Sequence, residues 1–239
     1  MKLLGGSWQV GILLRRYQRF LADVQLQGGE IVTAHCPNTG AMTNCWQPGD
    51  QVYLSDSNDP RRRTRFTLEV VCHRGHRVGI HSRRANDLIA DALKRGRLSG
   101  FEGYSDIVRE HQFLDSRVDF RLAYPQDKAM LMEVKSVTYL KSKGLGLFPD
   151  APSARALKHL STLMAAKAQG LQAALVFCVQ HSGINRVAPA LDIDPAYGAR
   201  LAEAQEQGVM IKAFKVSFRL PYAAISKPVP VCLGHGGLS

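Results

Sequence analysis

Residues Arg117 to Ser136 read R-V-D-F-R-L-A-Y-P-Q-D-K-A-M-L-M-E-V-K-S. Apolar and charged residues alternate on either side of Pro125-Gln126-Asp127, the pattern of an antiparallel hairpin with one packed face and one polar face. A symmetric three-residue turn sets Asp119 directly opposite Glu133 and Arg117 opposite Lys135, all four on one face. Like charges facing each other destabilise a hairpin, so a sequence shaped by stability alone would avoid both pairings. A cation held between the carboxylates accounts for them. Two acidic side chains this close, with a lysine two residues along the same face, suit a hard divalent ion of the Mg²⁺ or Mn²⁺ type. The hairpin therefore predicts a metal site for phosphodiester chemistry.

Upstream of this hairpin the pattern is different. Short strands are expected at Val10–Leu14, Arg19–Leu26, Ile31–Cys36, Gln51–Ser55, Phe66–Cys72 and Arg77–Ile80, separated by turn signals such as Gly28-Gly29 and Pro48-Gly49-Asp50. So many short strands without a helix of any length predict a small closed barrel, of which the oligonucleotide-binding form is a common nucleic-acid platform. Three arginine clusters surround it: Arg15, Arg16 and Arg19 at the start of the second strand, Arg61, Arg62, Arg63 and Arg65 after Asn58-Asp59-Pro60, and Arg83 with Arg84 after the last strand. A single run of this kind reads as a solvated loop. Three around one barrel, interleaved with Tyr17, Phe20 and Tyr53, point to phosphate contact and base stacking. The polar loop Cys36–Met42 is a weak anion-cradle motif, equally explained by an Asx turn.

The whole chain supports these readings. With 239 residues it can bury one large core or two ordinary ones, and its formal charge of +11 favours a polyanionic partner. Met1–Gly6 has no signal-like apolar core, and no later run reaches the ~20 apolar residues needed to cross a bilayer, so a cytoplasmic protein without membrane contact is expected. Five scattered cysteines without a C-x-x-C pair suit reduced thiols. Cys72 with His73, His76 and His81 fits no established zinc spacing.

Residues 1–81 are thus expected to form the barrel and residues 82–239 a second domain, joined by a helix capped by Ser82 and ended by Gly96. After strand Ile107–Phe113 and the hairpin, a glycine-containing loop at Lys141–Phe148 leads to a helix at Ala154–Ala168, capped by Asp150 or Ser153. The apolar run Leu171–Val179 reads as a central strand, and a helix from Asp194-Pro195 precedes strand Val209–Val216. This order predicts a mixed sheet with helices on its faces. Val209–Val216, taken as an exposed strand, raises a homodimer as an expectation.

Glu110, Asp119, Glu133 and Lys135 on such a sheet resemble the restriction-endonuclease-like superfamily, whose pattern is an aspartate, a short hairpin and Glu-x-Lys. Val118 stands where that pattern usually has proline. Over most of its length the chain also resembles the sugar fermentation stimulation protein family, through Arg16-Tyr17-x-x-Phe20-Leu21-Ala22-Asp23-Val24, His35–Met42, Ser116–Phe120, Glu133–Thr138, Phe148–Ala151 and Lys158-His159-Leu160. The resemblance implies an oligonucleotide-binding-like barrel joined to a nuclease-like domain, and a DNA-binding protein tied to expression of sugar-utilisation genes. It also implies that Asp119 and Glu133 bind Mg²⁺ or Mn²⁺, that Lys135 activates water, that Glu110 assists as an outer ligand and that Arg117 contacts a phosphate. Without the resemblance, a cross-strand ion network with an Asp119 to Lys135 diagonal would satisfy the same charges. Two functional classes follow, a DNA-binding regulator on an inherited nuclease scaffold and a metal-dependent deoxyribonuclease. Double-stranded DNA is the expected partner, with RNA as an alternative.

Overall fold

The computed structural model describes residues 1, 7–38, 40–59 and 61–233. Lys2–Gly6 of the N-terminal segment, Thr39 of the Cys36–Met42 loop and Pro60 of the arginine turn lie outside the described residues. Six strands make up the N-terminal part: β1 (Trp8–Tyr17), β2 (Leu21–Leu26), β3 (Ile31–His35), β4 (Gln51–Asp56), β5 (Phe66–His73) and β6 (His76–Gly79). They run in the order β3-β2-β1-β4-β5-β6, and a parallel contact of Ala34 with Phe66 and His35 with Thr67 closes β3 onto β5. The result is a five-stranded barrel of the oligonucleotide-binding form, extended by β6. Leu13, Val24, Val52, Leu54, Leu68 and Val71 fill it, each worth about 1.5–3 kcal/mol of burial for the larger side chains.

β1 serves two partners, pairing with β2 and β4 across a register shift between Leu13 and Arg15. It runs further than its apolar stretch predicts. Arg15 and Arg16 therefore close β1 rather than open β2, and Arg19 sits in the turn between them with φ +61°. Gly11 lets the strands approach, because a Cβ there would stand 2.7 Å from the main-chain oxygen of Gln25.

The linker helix α1 (Arg84–Lys94) has Arg83 at its N-cap without a side-chain cap. Ser82 instead donates its hydroxyl to the carbonyl of Pro37 at 3.2 Å, so its predicted capping role is corrected. Then follow β7 (Asp106–Phe113), β8 (Ser116–Ala123), β9 (Ala129–Val137), β10 (Tyr139–Ser142), β11 (Leu145–Phe148), α2 (Ala154–Ala168), β12 (Gln172–Val179), β13 (Arg186–Pro189), α3 (Pro195–Glu206), β14 (Met210–Arg219) and β15 (Tyr222–Val229). Ser153 caps α2 and Asp194 caps α3. The central sheet runs β15-β14-β12-β9-β8-β7, with β9, β12 and β14 parallel and the rest antiparallel. Leu88, Ile89 and Leu93 of α1 pack on one face, and α2 and α3 cover the other through Leu160, Leu163, Tyr197 and Leu201.

Two expectations fail here. The predicted loop at Lys141–Phe148 is the β10–β11 hairpin, which forms a small sheet with β13. The predicted exposed strand, β14, is interior, hydrogen-bonded to β12 and to β15, so it offers no free edge for a homodimer. Among the described residues no helix is long and apolar enough to cross a membrane.

The barrel sits over the C-terminal ends of the parallel strands. Cys45 contacts the carbonyl of Thr138 after β9, Gly79 donates to Gln180 after β12 at 2.8 Å, and Arg77 reaches the carbonyl of Phe218 on β14 at 2.7 Å. That end of a parallel sheet is where ligands of α/β proteins bind. Substituting Gly11→Ala should lower the stability of the chain by about 1–3 kcal/mol through overpacking against main chain, seen as a reduced urea midpoint at unchanged slope.

Candidate metal centre

β8 and β9 pair as Phe120 with Met132 through Ala123 with Ala129, a register that carries Asp119 across from Glu133. The ladder ends at Phe120 and Met132, one position short of the acids. Val134, which a further rung would bond to a main-chain carbonyl, donates its N–H to Asp119 Oδ2 at 2.7 Å. Beyond this point β9 stays paired on its other side with β12 as far as Val137. β8 thus leaves β9 with an open edge just where the acids stand.

Each carboxylate is held by donors. Asp119 Oδ1 accepts from Asn86 Nδ2 of α1 at 2.5 Å. Glu133, only 3% exposed, takes Lys135 Nζ on Oε1 at 2.7 Å, and His159 Nδ1 from α2 donates to the same oxygen. Arg155 Nε lies 3.4 Å from His159 Nε2, and Lys135 Nζ lies 3.0 Å from His159 Nδ1, so the ring is held between cations as well as against Glu133. Oε1 is therefore saturated. Oε2 is buried and has no hydrogen-bond partner among the described residues. Leaving a buried charged oxygen unmatched costs at least about 1–3 kcal/mol, which a cation would recover.

The two acids are pushed apart electrostatically. Burial, reinforced by the charge of Glu133, raises the Asp119 pKa to about 6. Burial also acts to raise Glu133, but the hydrogen bond from His159 and the charge of Lys135 outweigh it and hold this carboxyl below its ordinary range. Opposed shifts of neighbouring acids mark functional sites. No cluster of three or more His, Cys, Asp or Glu suited to a metal occurs among the described residues. The fit is thus to an ion that takes one or two carboxylates and fills its other positions with water and substrate, the habit of Mg²⁺.

Glu110 takes a different course. It has φ +53°, and its exposed carboxylate faces Arg117 at 3.8 Å. The arginines divide. Arg15 pairs with Asp23, Arg61 with Asp59, Arg65 with Asp56 and Arg84 with the buried Glu69. Arg16 binds the carbonyls of Arg19, Asn38 and Gly40, and Arg62 binds Thr67. Arg19, Arg63 and Arg83 are exposed.

A cleft of about 670 Å³ opens between the barrel and the sheet, lined by Arg16, Arg19, Asn38, Ser136, Thr138 and Ser153 among others. Its floor continues β9 directly from Lys135. The Cys36–Met42 loop forms one wall, and its anion is internal: Met42 N–H donates to Asp150 Oδ2 at 3.3 Å, and a Cβ on Gly40 would lie 2.5 Å from the same oxygen. His73 and His76 are cross-strand partners in the β5–β6 hairpin but have different contacts. His73 is buried against Asp50 at 2.8 Å, while His76 lies tilted at 50° against His181.

Asn86 and His159 were not among the predicted site residues. His159 carries a local signal, since it lies between Ala156 and Leu163 on the buried stripe of α2, where a polar side chain needs a partner. Asn86 carries none; it meets Asp119 across 33 positions of chain.

A family model described as the sugar fermentation stimulation protein RE domain matches residues 83–221, and one described as the SfsA N-terminal OB domain matches residues 14–80. The sugar fermentation stimulation protein homolog of Saccharophagus degradans is 46% identical over 222 residues, covering 92% of this chain and 95% of the relative. That of Pseudoalteromonas atlantica is 44% identical over 224 residues, covering 92% and 95%. The structure of Pyrococcus furiosus SfsA in complex with Ca²⁺ aligns with a TM-score of 0.86 at 26% identity, over 97% of this chain and 99% of that one.

Two outcomes follow from this geometry. With native Asp119 titrating near pH 6 against an ordinary unfolded value of 3.8, the native state holds the extra proton between them, so metal-free protein loses stability as pH rises across that window. Asp119→Asn removes the loss. In EDTA its urea stability relative to the unsubstituted protein should grow between about pH 4 and pH 7, by an amount on the order of 1–3 kcal/mol. Arg83→Ala and Arg84→Ala should separate cleanly. The first should leave stability unchanged within about 0.5 kcal/mol; the second strands the buried Glu69 and should cost about 3 kcal/mol or more in denaturation.

Proposed function

The chain belongs to the sugar fermentation stimulation protein family, and from that premise we propose that it binds double-stranded DNA mainly through backbone phosphates and hydrolyses phosphodiester bonds at the Asp119, Glu133 and Lys135 centre with Mg²⁺ or Mn²⁺. The observation that carries this reading is the buried, unpartnered Oε2 of Glu133 beside a second carboxylate on an open strand edge. A relative solved in complex with Ca²⁺ supports a divalent ion in the family.

A bound divalent ion would supply Lewis-acid polarisation of the phosphate and a more acidic water. Glu133 Oε2 and Asp119 would hold it. Asn86 and the Val134 N–H keep the Asp119 carboxylate fixed, and His159 with Lys135 occupies Oε1 of Glu133, which leaves Oε2 as the oxygen that would be available to the ion. The Lys135 ammonium, 12% exposed, stands two residues along the strand to offset charge gathering on the phosphate oxygens. Glu110 would assist from the rim, with Arg117 as a phosphate contact beside it. Arg19, Arg61, Arg62, Arg63 and Arg83 extend the contact over the barrel, since all are exposed and backbone binding needs little else.

One observation favours a second reading. The Lys135 ammonium is held by Glu133 and lies against His159, an ion network that satisfies the same charges without turnover, as in a DNA-binding regulator of sugar-utilisation genes on a nuclease scaffold. Supercoiled and linear DNA incubated with the protein in Mg²⁺, Mn²⁺ or EDTA, alongside Asp119→Ala and Lys135→Ala, separates them. The expected result is metal-dependent cleavage reduced more than about 100-fold in both variants, with binding retained. Salt-sensitive binding without cleavage in any metal would leave the regulator.

A further inference from the structure

Away from the acid pair, where the β5–β6 hairpin meets β14 and β15, lies a second cleft of about 660 Å³. His76 and Arg77 enter it from the barrel, Lys215 and Lys227 from the sheet, and no carboxylate lines it. Lys215 and Lys227 are direct cross-strand partners. Two ammonium groups so placed repel and weaken the ladder, as two carboxylates do in the hairpin of β8 and β9. Among the described residues Lys215 Nζ hydrogen-bonds the amide oxygen of Asn185 at 2.7 Å, and Arg77 the carbonyl of Phe218 at 2.7 Å and the Cys72 thiol, all of them neutral partners. None of the four basic groups has an acidic partner among the described residues, whereas Arg84, elsewhere at the seam between the domains, is answered by Glu69.

We propose that this cleft binds a phosphoryl group, held by Lys215 and Lys227 on one side and by His76 and Arg77 on the other. Lysine ammonium ions act as point charges for phosphate, and the hydroxyl of Ser217 on the same lining adds a neutral donor. Burial, then the neighbouring Lys227 charge, holds Lys215 below the usual lysine range, a cost that an anion reverses. The ligand bridges barrel and sheet. Two sources share this chemistry, a backbone phosphate of bound nucleic acid, which rests on the proposed function, and a free inorganic phosphoryl ion, which does not.

Full-length protein in EDTA is tested by thermal unfolding at constant ionic strength with chloride or inorganic pyrophosphate. Pyrophosphate should raise the unfolding temperature saturably. Lys227→Gln should abolish that rise while unfolding in chloride no lower than the unsubstituted protein, because the cross-strand repulsion is gone. Lys128→Gln, in the β8–β9 turn at the other end of the sheet, should keep it. An equal pyrophosphate response in Lys227→Gln would overturn the proposal, as would a Lys227→Gln variant that simply unfolds earlier with the response intact. The second arm measures duplex DNA binding over a salt series. A slope reduced by about 1 or more in the Lys215→Gln, Lys227→Gln double variant identifies a backbone phosphate. An unchanged slope with the pyrophosphate response lost identifies a free phosphoryl ligand. Absence of any DNA binding by the unsubstituted protein overturns the proposed function while the pyrophosphate arm still decides the site.

Discussion

Two carboxylates facing each other across a hairpin, in a setting where one is almost fully buried, constitute a repulsion that has to be held in place. Asp119 and Glu133 are held by donors from four different parts of the chain: Asn86 of the linker helix, the Val134 main chain, Lys135 of the same strand and His159 of α2. The early end of the β8–β9 ladder belongs to the same constraint. A regular rung at Val134 would consume the N–H that Asp119 needs and would close the edge on which the acids are presented. The sheet gives up backbone pairing on one side of β9 while keeping it on the other, so the strand stays rigid and its functional edge stays open.

This constraint also ties the domains together. The barrel and the nuclease-like domain meet at the C-terminal ends of β9, β12 and β14, and the linker helix is anchored twice within its first turn. Arg84 is fixed to Glu69 inside the barrel, and two residues later Asn86 is fixed to Asp119. The orientation of the Asp119 carboxylate therefore depends on where the barrel sits. Both clefts open along that same seam, one over the end of β9 and one over the end of β14.

Much of this was legible in the residues, and the rest was not for identifiable reasons. The hairpin register could be counted from its turn, because a period of two leaves no freedom once one face is buried. The barrel followed from strand spacing and turns. By contrast, β10 and β11 hide behind Gly144 and Gly146. Gly146 is a strand residue packed so closely on Ile184 that a Cβ would lie 2.7 Å from its side chain. β15 is an edge strand carrying Pro228, a residue that argues against a strand until the edge is known, and without it β14 reads as exposed. The arginines show the limit most plainly. Arg83 and Arg84 are adjacent and chemically identical, yet the start of α1 turns one to solvent and the other onto a glutamate fifteen positions earlier. No local pattern distinguishes them, because the partner comes from another domain.

Gly40 shows what this kind of partnership does to a sequence. Its backbone is not in the left-handed region, and within the barrel a Cβ there would crowd only the Asn38 side chain, at 3.1 Å. The space for a side chain is taken by Asp150, which arrives from the other domain and also accepts the Met42 N–H. Without its partner the barrel would need to shift only the Asn38 side chain to accept alanine here, while the intact chain would have to let go of Asp150 as well. Position 40 thus records the neighbour rather than the fold it belongs to, and the two halves of this molecule have to be read as one text.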